Sequence, residues 1–131
     1  VYSSASVGIR TLIIKRKLKN GFTCFGKIVK NKKIESYLLS IVNAYNLNGL
    51  INIQLRLTSY GPKVFEINPR LSSTLVIRDK IGLQDLRWWL SDNLSIKIPK
   101  FKKQLYGIKF YRFSYDEYIF DQKENLINLK Y

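Results

Sequence analysis

Two segments decide the fold of this chain, Gly49-Leu50-Ile51-Asn52-Ile53-Gln54-Leu55-Arg56 and Lys63-Val64-Phe65-Glu66-Ile67-Asn68-Pro69-Arg70-Leu71-Ser72-Ser73-Thr74. From Ile51 to Leu57 the odd positions are aliphatic and the even positions Asn52, Gln54 and Arg56 are polar, which is the period of a β-strand with one buried face. The second segment continues the alternation, with Phe65 and Ile67 on one face and Glu66 and Asn68 on the other. Together the segments predict a β-hairpin with one apolar and one polar face.

The register of this hairpin follows from the same alternation, because a slip of one residue would turn every side chain to the wrong face. We predict a three-residue loop that pairs Thr58 with Pro62 and gives Gly61 a left-handed backbone conformation. Leu55 then lies opposite Phe65 on the apolar face.

On the polar face, the predicted register brings oxygen-bearing side chains together. It sets Gln54 opposite Glu66 and Asn52 opposite Asn68, and directly opposed Cβ atoms lie roughly 5 Å apart. At that separation an amide oxygen and a carboxylate can share a hard cation. Mg²⁺ takes oxygen ligands and usually keeps room for waters and substrate phosphates, so the pattern favours a magnesium site.

The two segments contain Gly49, Gln54 and the run Phe65-Glu66-Ile67-Asn68-Pro69-Arg70, followed by small hydroxyl residues. That string resembles the late metal-binding hairpin of ATP-grasp enzymes, most closely the branch with the carbamoyl-phosphate synthase large subunit and related biosynthetic ligases. The resemblance implies that Glu66 and Asn68 bind the magnesium ions that bridge the ATP phosphates, with Gln54 as a further metal ligand. It also implies that Arg70 faces the transferring phosphoryl group or the acyl phosphate.

The resemblance implies an α+β fold, in which an antiparallel sheet flanked by helices forms the C-terminal subdomain of an ATP-grasp domain. In that family an earlier antiparallel strand pair carries a basic residue that reaches a phosphate. Arg16 is the best match, since Lys15 and Lys17 point to the opposite face of the strand. Ser72-Ser73-Thr74 is typical of a helix start, where hydroxyls cap and backbone N–H groups face an anion, so Ser73 is a further candidate ATP-binding residue.

The function implied by the resemblance is ATP-dependent ligation with ATP and Mg²⁺, or Mn²⁺ in its place. A substrate carboxylate takes the γ-phosphoryl group, and an amine or a thiol then displaces phosphate. A complete ATP-grasp enzyme has a preceding half, which contributes a glycine-rich loop and the segment that reads adenine. We therefore expect residues 1–131 to be a single partial domain, with the missing half in cis or on another chain. A homo-oligomer stays open.

Charge is the strongest compositional signal, because 23 Lys and Arg against 9 Asp and Glu give a formal net charge of +14. Nine basic residues and no acidic one lie between Arg10 and Lys33. Three explanations stay open: a site for a polyanionic small molecule such as ATP, an A+T-rich source genome, and a nucleic-acid-binding or non-catalytic interaction domain. Nucleic acid is not favoured as a partner, because no aromatic and basic motif of a known module appears.

Several classes of site and location are excluded by residue types. Cys24 is the only cysteine and histidine is absent, which removes disulfide frameworks, zinc clusters and Ser-His-Asp triads. No apolar run approaches the roughly 20 residues of a membrane helix, and no signal peptide opens the chain, so we expect a cytoplasmic protein without membrane contact. Since the first residue is Val1 and no Met occurs, we expect a fragment or a processed chain.

The remaining elements are predicted from periodicity and turn residues. Asn20-Gly21 is a hairpin turn between two strands, and the other predictions are strands at 7–18 and 22–30, helices at 31–46, 75–82 and 83–93, a loop or edge strand at 95–103, a hairpin-like unit at 106–113 and 115–120, and a loosely held tail at 122–131. In the helix at 83–93 Leu86, Trp89 and Leu90 share one side, and we expect Trp88 and Trp89 to be packing residues and not a platform for stacked bases.

Overall fold

The computed structural model describes residues 1–113, together with the strands at 117–120 and 126–129. Their elements, in chain order, are β1 (Tyr2–Ser4), β2 (Gly8–Arg10), β3 (Ile13–Lys19), β4 (Phe22–Val29), α1 (Lys32–Ala44), β5 (Gly49–Leu50), β6 (Asn52–Thr58), β7 (Gly61–Asn68), α2 (Leu75–Lys80), α3 (Asp85–Leu94), β8 (Lys109–Tyr111), β9 (Glu117–Phe120) and β10 (Leu126–Leu129). The strands form antiparallel sheets in the orders β2-β1-β5, β3-β4-β8, β6-β7 and β10-β9. This arrangement confirms the predicted α+β class with antiparallel sheets and flanking helices.

The hairpin β3–β4 turns at the predicted dipeptide. Asn20 and Gly21 have φ of 51° and 79°, as a two-residue turn matched to the twist of antiparallel strands requires. The single strand predicted over 7–18 is wrong, because residues 11–12 separate β2, which a turn at residues 5–7 folds back onto β1, from β3, which pairs with β4. The Ser4 hydroxyl accepts a hydrogen bond from the Val7 N–H in that turn at 3.2 Å, and β3 begins only at Ile13.

Helix α1 begins at a side-chain cap and buries one apolar stripe. The Asn31 Oδ1 accepts a hydrogen bond from the Ile34 N–H at 3.1 Å, which satisfies one of the unpaired N–H groups of the first turn. Ile34, Leu38 and Val42 recur every four residues and are all buried. They pack with Val1 and Ile51, so α1 supports the strand that leads into the hairpin β6–β7.

A second core forms where α3 packs on β1. Trp88 is 1% exposed and its ring lies 5.7 Å from the Tyr2 ring and 5.4 Å from the Phe101 ring. Trp88 therefore packs as predicted, whereas the packing role predicted for Trp89 is wrong, since Trp89 and its neighbour Leu90 are 38% and 37% exposed. Hydrophobic periodicity fails here because the buried stripe of α3 includes polar Asp85 and Ser91 beside Trp88.

Asp85 is buried because it pairs with a buried arginine of α2. Arg78 Nη1 lies 2.6 Å from Asp85 Oδ2, and the two side chains are 6% and 1% exposed. Burial lowers the pKa of Arg78 and raises the pKa of Asp85, although the charge of each partner acts in the opposite direction. Nearby, Arg87 Nε and Asp79 Oδ1 form a pair of the same length whose side chains are 56% and 26% exposed.

Strand β8 pairs with β4 and the strand at 117–120 pairs with β10, so the described strands do not form the hairpin-like unit predicted at 106–113 and 115–120, of which residues 115 and 116 lie outside the described residues. The reason lies at Gly26 of β4, which is paired with Phe110 of β8. A Cβ at Gly26 would lie 2.3 Å from the Phe110 ring, so the ring occupies the space that a side chain of β4 would fill. Strand β10 occupies 126–129 of the loosely held tail predicted at 122–131, and the other residues of that tail lie outside the described residues. The three helices of the described residues all lack the length and apolar composition of a membrane-spanning helix.

Candidate functional site

The hairpin β6–β7 carries the predicted pairing of polar residues. In the structure Gln54 lies opposite Glu66 and Asn52 lies opposite Asn68. Glu66 is exposed, while the other three side chains are half-buried. Oxygen atoms of one carboxylate and three amides therefore line one face of a two-stranded ribbon.

The turn of this hairpin differs from the prediction. Gly61 has the expected positive φ, 105°, but the ladder pairs Thr58 with Gly61, one residue earlier than predicted. A β-bulge then adds one residue to β7, so that Leu55 lies opposite Val64 and the predicted Leu55–Phe65 pairing is wrong. The shorter turn and the extra residue cancel, which is why the pairing of Gln54 with Glu66 is nevertheless as predicted.

Glu66 and Asn68 are linked by their side chains. Strand residues two apart project to the same face, and the Asn68 Nδ2 donates a hydrogen bond to the Glu66 Oε1 at 2.6 Å. The amide thus uses its nitrogen toward the carboxylate and keeps its oxygen for another partner. This orientation suits joint contact with a hard cation, which would take the Asn68 oxygen and the second Glu66 oxygen.

Arg16 joins the hairpin from a different sheet. Its Nη2 donates a hydrogen bond to the Gln54 Oε1, and its Nη1 donates to the Thr23 hydroxyl at 3.3 Å. Thr23 is 1% exposed, so the guanidinium is positioned by a fixed neighbour. Lys15 lies opposite Lys27 on the other face of the sheet. The structure therefore brings Arg16, Gln54 and Glu66 to one place.

Arg70 and Ser73 lie beyond the end of β7 and are not hydrogen-bonded to this group among the described residues. The Arg70 side chain is exposed and its Nη1 donates to the Leu71 carbonyl at 3.0 Å. The Ser73 carbonyl accepts a hydrogen bond from Arg112. Helix α2 follows directly, as predicted for this segment. The Ser72 hydroxyl accepts a hydrogen bond from the Thr74 N–H at 3.3 Å, but the N-cap Thr74 itself makes no side-chain cap hydrogen bond.

The chemistry of the donor set fits magnesium together with a phosphate ligand. Within residues 1–113 and the two later strands, no group of three His, Cys, Asp or Glu side chains could hold a metal ion by itself. One carboxylate and neighbouring amides make a partial oxygen shell, which is typical of Mg²⁺ sites completed by waters and substrate phosphates. A protein cage for a free ion is not the arrangement seen here.

Two residues that contribute to this region were not identified from the sequence. Thr23 orients Arg16, and Arg112 contacts the loop after β7 through the Ser73 carbonyl. Thr23 gave a weak signal as a polar residue two positions after a hairpin turn, and nothing in the sequence connected Arg112 with residue 73. Arg112 reaches the Ser73 carbonyl because β8, which precedes it, pairs with β4, and these two strands are distant in the sequence.

A separate polar cluster lies around Asp92 of α3. The Tyr2 and Ser6 hydroxyls donate hydrogen bonds to its two carboxylate oxygens, and these bonds lower the pKa of Asp92. Burial, followed by the hydrogen bond to Asp92, raises the pKa of Tyr2 to about 12. The cluster borders an open cavity of about 510 Å³ that is also lined by Asn48 and Trp89.

A protein-family model matches most of the chain. The family is described as ATP-grasp in the biosynthetic pathway with Ter operon, and the match covers residues 5–109. That range includes Arg16, the hairpin β6–β7 and the loop after it. A search of the solved structures found no match for the chain.

Proposed function

Because this chain belongs to the family described as ATP-grasp in the biosynthetic pathway with Ter operon, we propose that it forms the magnesium-binding and phosphate-binding wall of an ATP-dependent ligase. Membership in the family supports ATP binding and ligation in general. The finer proposal is that the enzyme activates a carboxylate as an acyl phosphate, as in the carbamoyl-phosphate synthase branch. An amine or a thiol then takes the acyl group and displaces phosphate. The observation that carries the magnesium- and phosphate-binding proposal is the meeting of Arg16 with the paired Gln54 and Glu66; the acyl-phosphate route rests on the resemblance of the hairpin sequence.

Glu66 and Asn68 would hold the magnesium, and Gln54, whose Oε1 accepts a hydrogen bond from Arg16, would join them through the second lone pair of that oxygen. When bound, the ion neutralises negative charge on the phosphoryl oxygens during transfer. The side-chain bond of 2.6 Å from Asn68 to Glu66 fixes the orientation of both groups before a ligand arrives. Such preorganised polar groups stabilise developing charge without having to rearrange at the moment of reaction.

The arginines supply positive charge from two directions. Arg16 is held between Thr23 and Gln54, so its guanidinium is oriented toward a phosphate that lies against the hairpin. Arg70 is exposed in the loop that follows β7, and the resemblance assigns it to the phosphoryl group being transferred. Ser73 presents an exposed side chain in the same loop and is proposed as a weaker phosphate contact.

The test is a comparison of Glu66→Gln with Glu35→Gln in the full-length protein. Glu66→Gln keeps the size of the side chain and removes one charge, and Glu35→Gln removes the same charge from the first turn of α1. Isothermal titration with Mg-ATP and with ATP in EDTA measures the two affinities. We expect Glu66→Gln to weaken Mg-ATP binding by about 10-fold or more, to leave metal-free ATP binding nearly unchanged, and to abolish turnover.

Glu35→Gln should match the wild-type protein in both titrations. Equal weakening of Mg-ATP and metal-free ATP by Glu66→Gln would remove the metal role of Glu66. Near-normal turnover in that variant would also contradict it. Thermal unfolding of both variants checks that the fold is retained, which is expected because Glu66 is an exposed residue.

A further inference from the structure

The sheet β3-β4-β8 has two unlike faces. On one face Arg16 contacts Gln54 and the Phe110 ring covers Gly26, so this face belongs to the proposed ATP site and the core. Strand residues alternate between the two faces of a sheet. The neighbours of Arg16 in sequence, Lys15 and Lys17, therefore project from the opposite face.

Three lysines form a row across that opposite face. Lys15 of β3 lies directly opposite Lys27 of β4, and Lys27 lies directly opposite Lys109 of β8. All three are exposed. Directly opposed side chains are roughly 5 Å apart at Cβ, and like charges in such pairs are destabilising. The two salt bridges found within residues 1–113 involve none of these lysines.

The next row of the same face is aromatic and basic. Lys17, Phe25 and Tyr111 lie opposite one another, each two residues along its strand from a lysine of the first row. The Phe25 and Tyr111 rings are 5.1 Å apart with an interplanar angle of 51°, and Tyr111 is 63% exposed. A row of cations thus runs beside the exposed Tyr111 ring and the half-buried Phe25 ring on the same face of the sheet.

We propose that this surface, formed by Lys15, Lys17, Lys27, Lys109, Phe25 and Tyr111, binds single-stranded nucleic acid. Exposed cations that track a phosphate backbone, combined with aromatic rings on which bases stack, are the means by which sheet surfaces bind single strands. A formal net charge of +14 favours the approach of any polyanion. An acidic polypeptide would use the lysines but has no bases to stack on Phe25 and Tyr111, so nucleic acid accounts for both rows.

This surface was not predicted from the sequence because its two rows are assembled from three strands. Lys27 and Lys109 are far apart in the chain, and only the pairing of β8 with β4 places them side by side. The proposal is independent of the ATP site, since Arg16, which contacts Gln54 of the hairpin β6–β7, projects from the other face of the sheet β3-β4-β8.

The experiment is a fluorescence-anisotropy titration of the full-length protein with labelled oligouridylate and oligothymidylate over a range of NaCl concentrations. Each phosphate contact on a single strand contributes a slope of about −0.7 in log affinity against log salt. The triple variant Lys15→Gln/Lys27→Gln/Lys109→Gln should therefore lose about two units of slope. Tyr111→Ala should weaken binding by about 10-fold through lost stacking and leave the slope unchanged.

The matched control is Lys97→Gln/Lys100→Gln/Lys102→Gln, which removes three charges from exposed positions in the segment after α3. It should bind the oligonucleotides nearly as well as the wild-type protein. All variants should retain Mg-ATP affinity. Failure of the nucleic-acid-binding proposal is therefore distinguishable from failure of the ligase proposal. Equal loss in the two triple variants, no effect of Tyr111→Ala, or tighter binding of polyglutamate than of either oligonucleotide would overturn the proposal.

Discussion

Asp85→Asn should lower the free energy of unfolding by about 3–5 kcal/mol, the usual cost of breaking one side of a buried ion pair. The distance from Arg78 Nη1 to Asp85 Oδ2 is 2.6 Å, and both side chains are nearly inaccessible to solvent. The variant keeps the size of the side chain but leaves the Arg78 charge buried without its counter-charge. Arg78 Nε and Nη2 already have no hydrogen-bond partner, so the guanidinium has no second acceptor to use.

Urea denaturation followed by tryptophan fluorescence is a suitable assay, because Trp88 is buried beside this pair and becomes exposed on unfolding. Asp79→Asn is the matched control. It breaks a pair of the same length with Arg87, but those side chains are 56% and 26% exposed, and solvent screens exposed pairs strongly. The control should therefore shift the urea midpoint several-fold less than Asp85→Asn does, with the same slope in both variants.

Equal losses of stability in Asp85→Asn and Asp79→Asn would refute the reasoning from burial. The double variant Arg78→Met/Asp85→Leu adds a second check. Burying apolar side chains of similar size does not require a charge to be removed from water. The double variant should therefore regain most of the stability that Asp85→Asn loses. If it stays as unstable as the single variant, the loss would come from packing and the charge argument would fail.

Two further predictions concern the site and the polar cluster. Arg70→Ala should reduce kcat by about 100-fold with a smaller effect on the Kd for Mg-ATP, measured by steady-state kinetics and titration; a loss confined to affinity would place Arg70 away from the reacting phosphoryl group. Tyr2 has a folded-state pKa raised from 10.0 to about 12, so its contribution to stability is fully present below pH 10 and is lost as the pH rises toward 12. The difference in unfolding free energy between the wild-type protein and Tyr2→Phe should shrink across that window in alkaline urea titrations, and a constant difference would contradict the assignment.

The sequence predicted the parts of the fold that depend on local pattern. Alternation around Gln54 and Glu66 defined the pairing of the hairpin, and Asn20-Gly21 defined a turn, because both signals act between neighbouring residues. The stripe of Trp88 on α3 was missed because Asp85, a buried charge, looks like a surface residue until its partner is known. The lysine row required the pairing of β8 with β4, which depends on Gly26 leaving space for a ring from a distant segment.

The β-bulge in β7 gives the hairpin two independent registers, one that belongs to the turn and one that belongs to the polar face. Because the change of register falls between Gln54 and Leu55, a residue gained or lost at the bulge can offset a change of loop length. We therefore expect an insertion near Tyr60, which is 90% exposed, to leave the alignment of Gln54 with Glu66 in place when the bulge absorbs the added residue. The bulge thus separates the part of the ribbon that tolerates insertion from the part that holds its oxygen atoms in place.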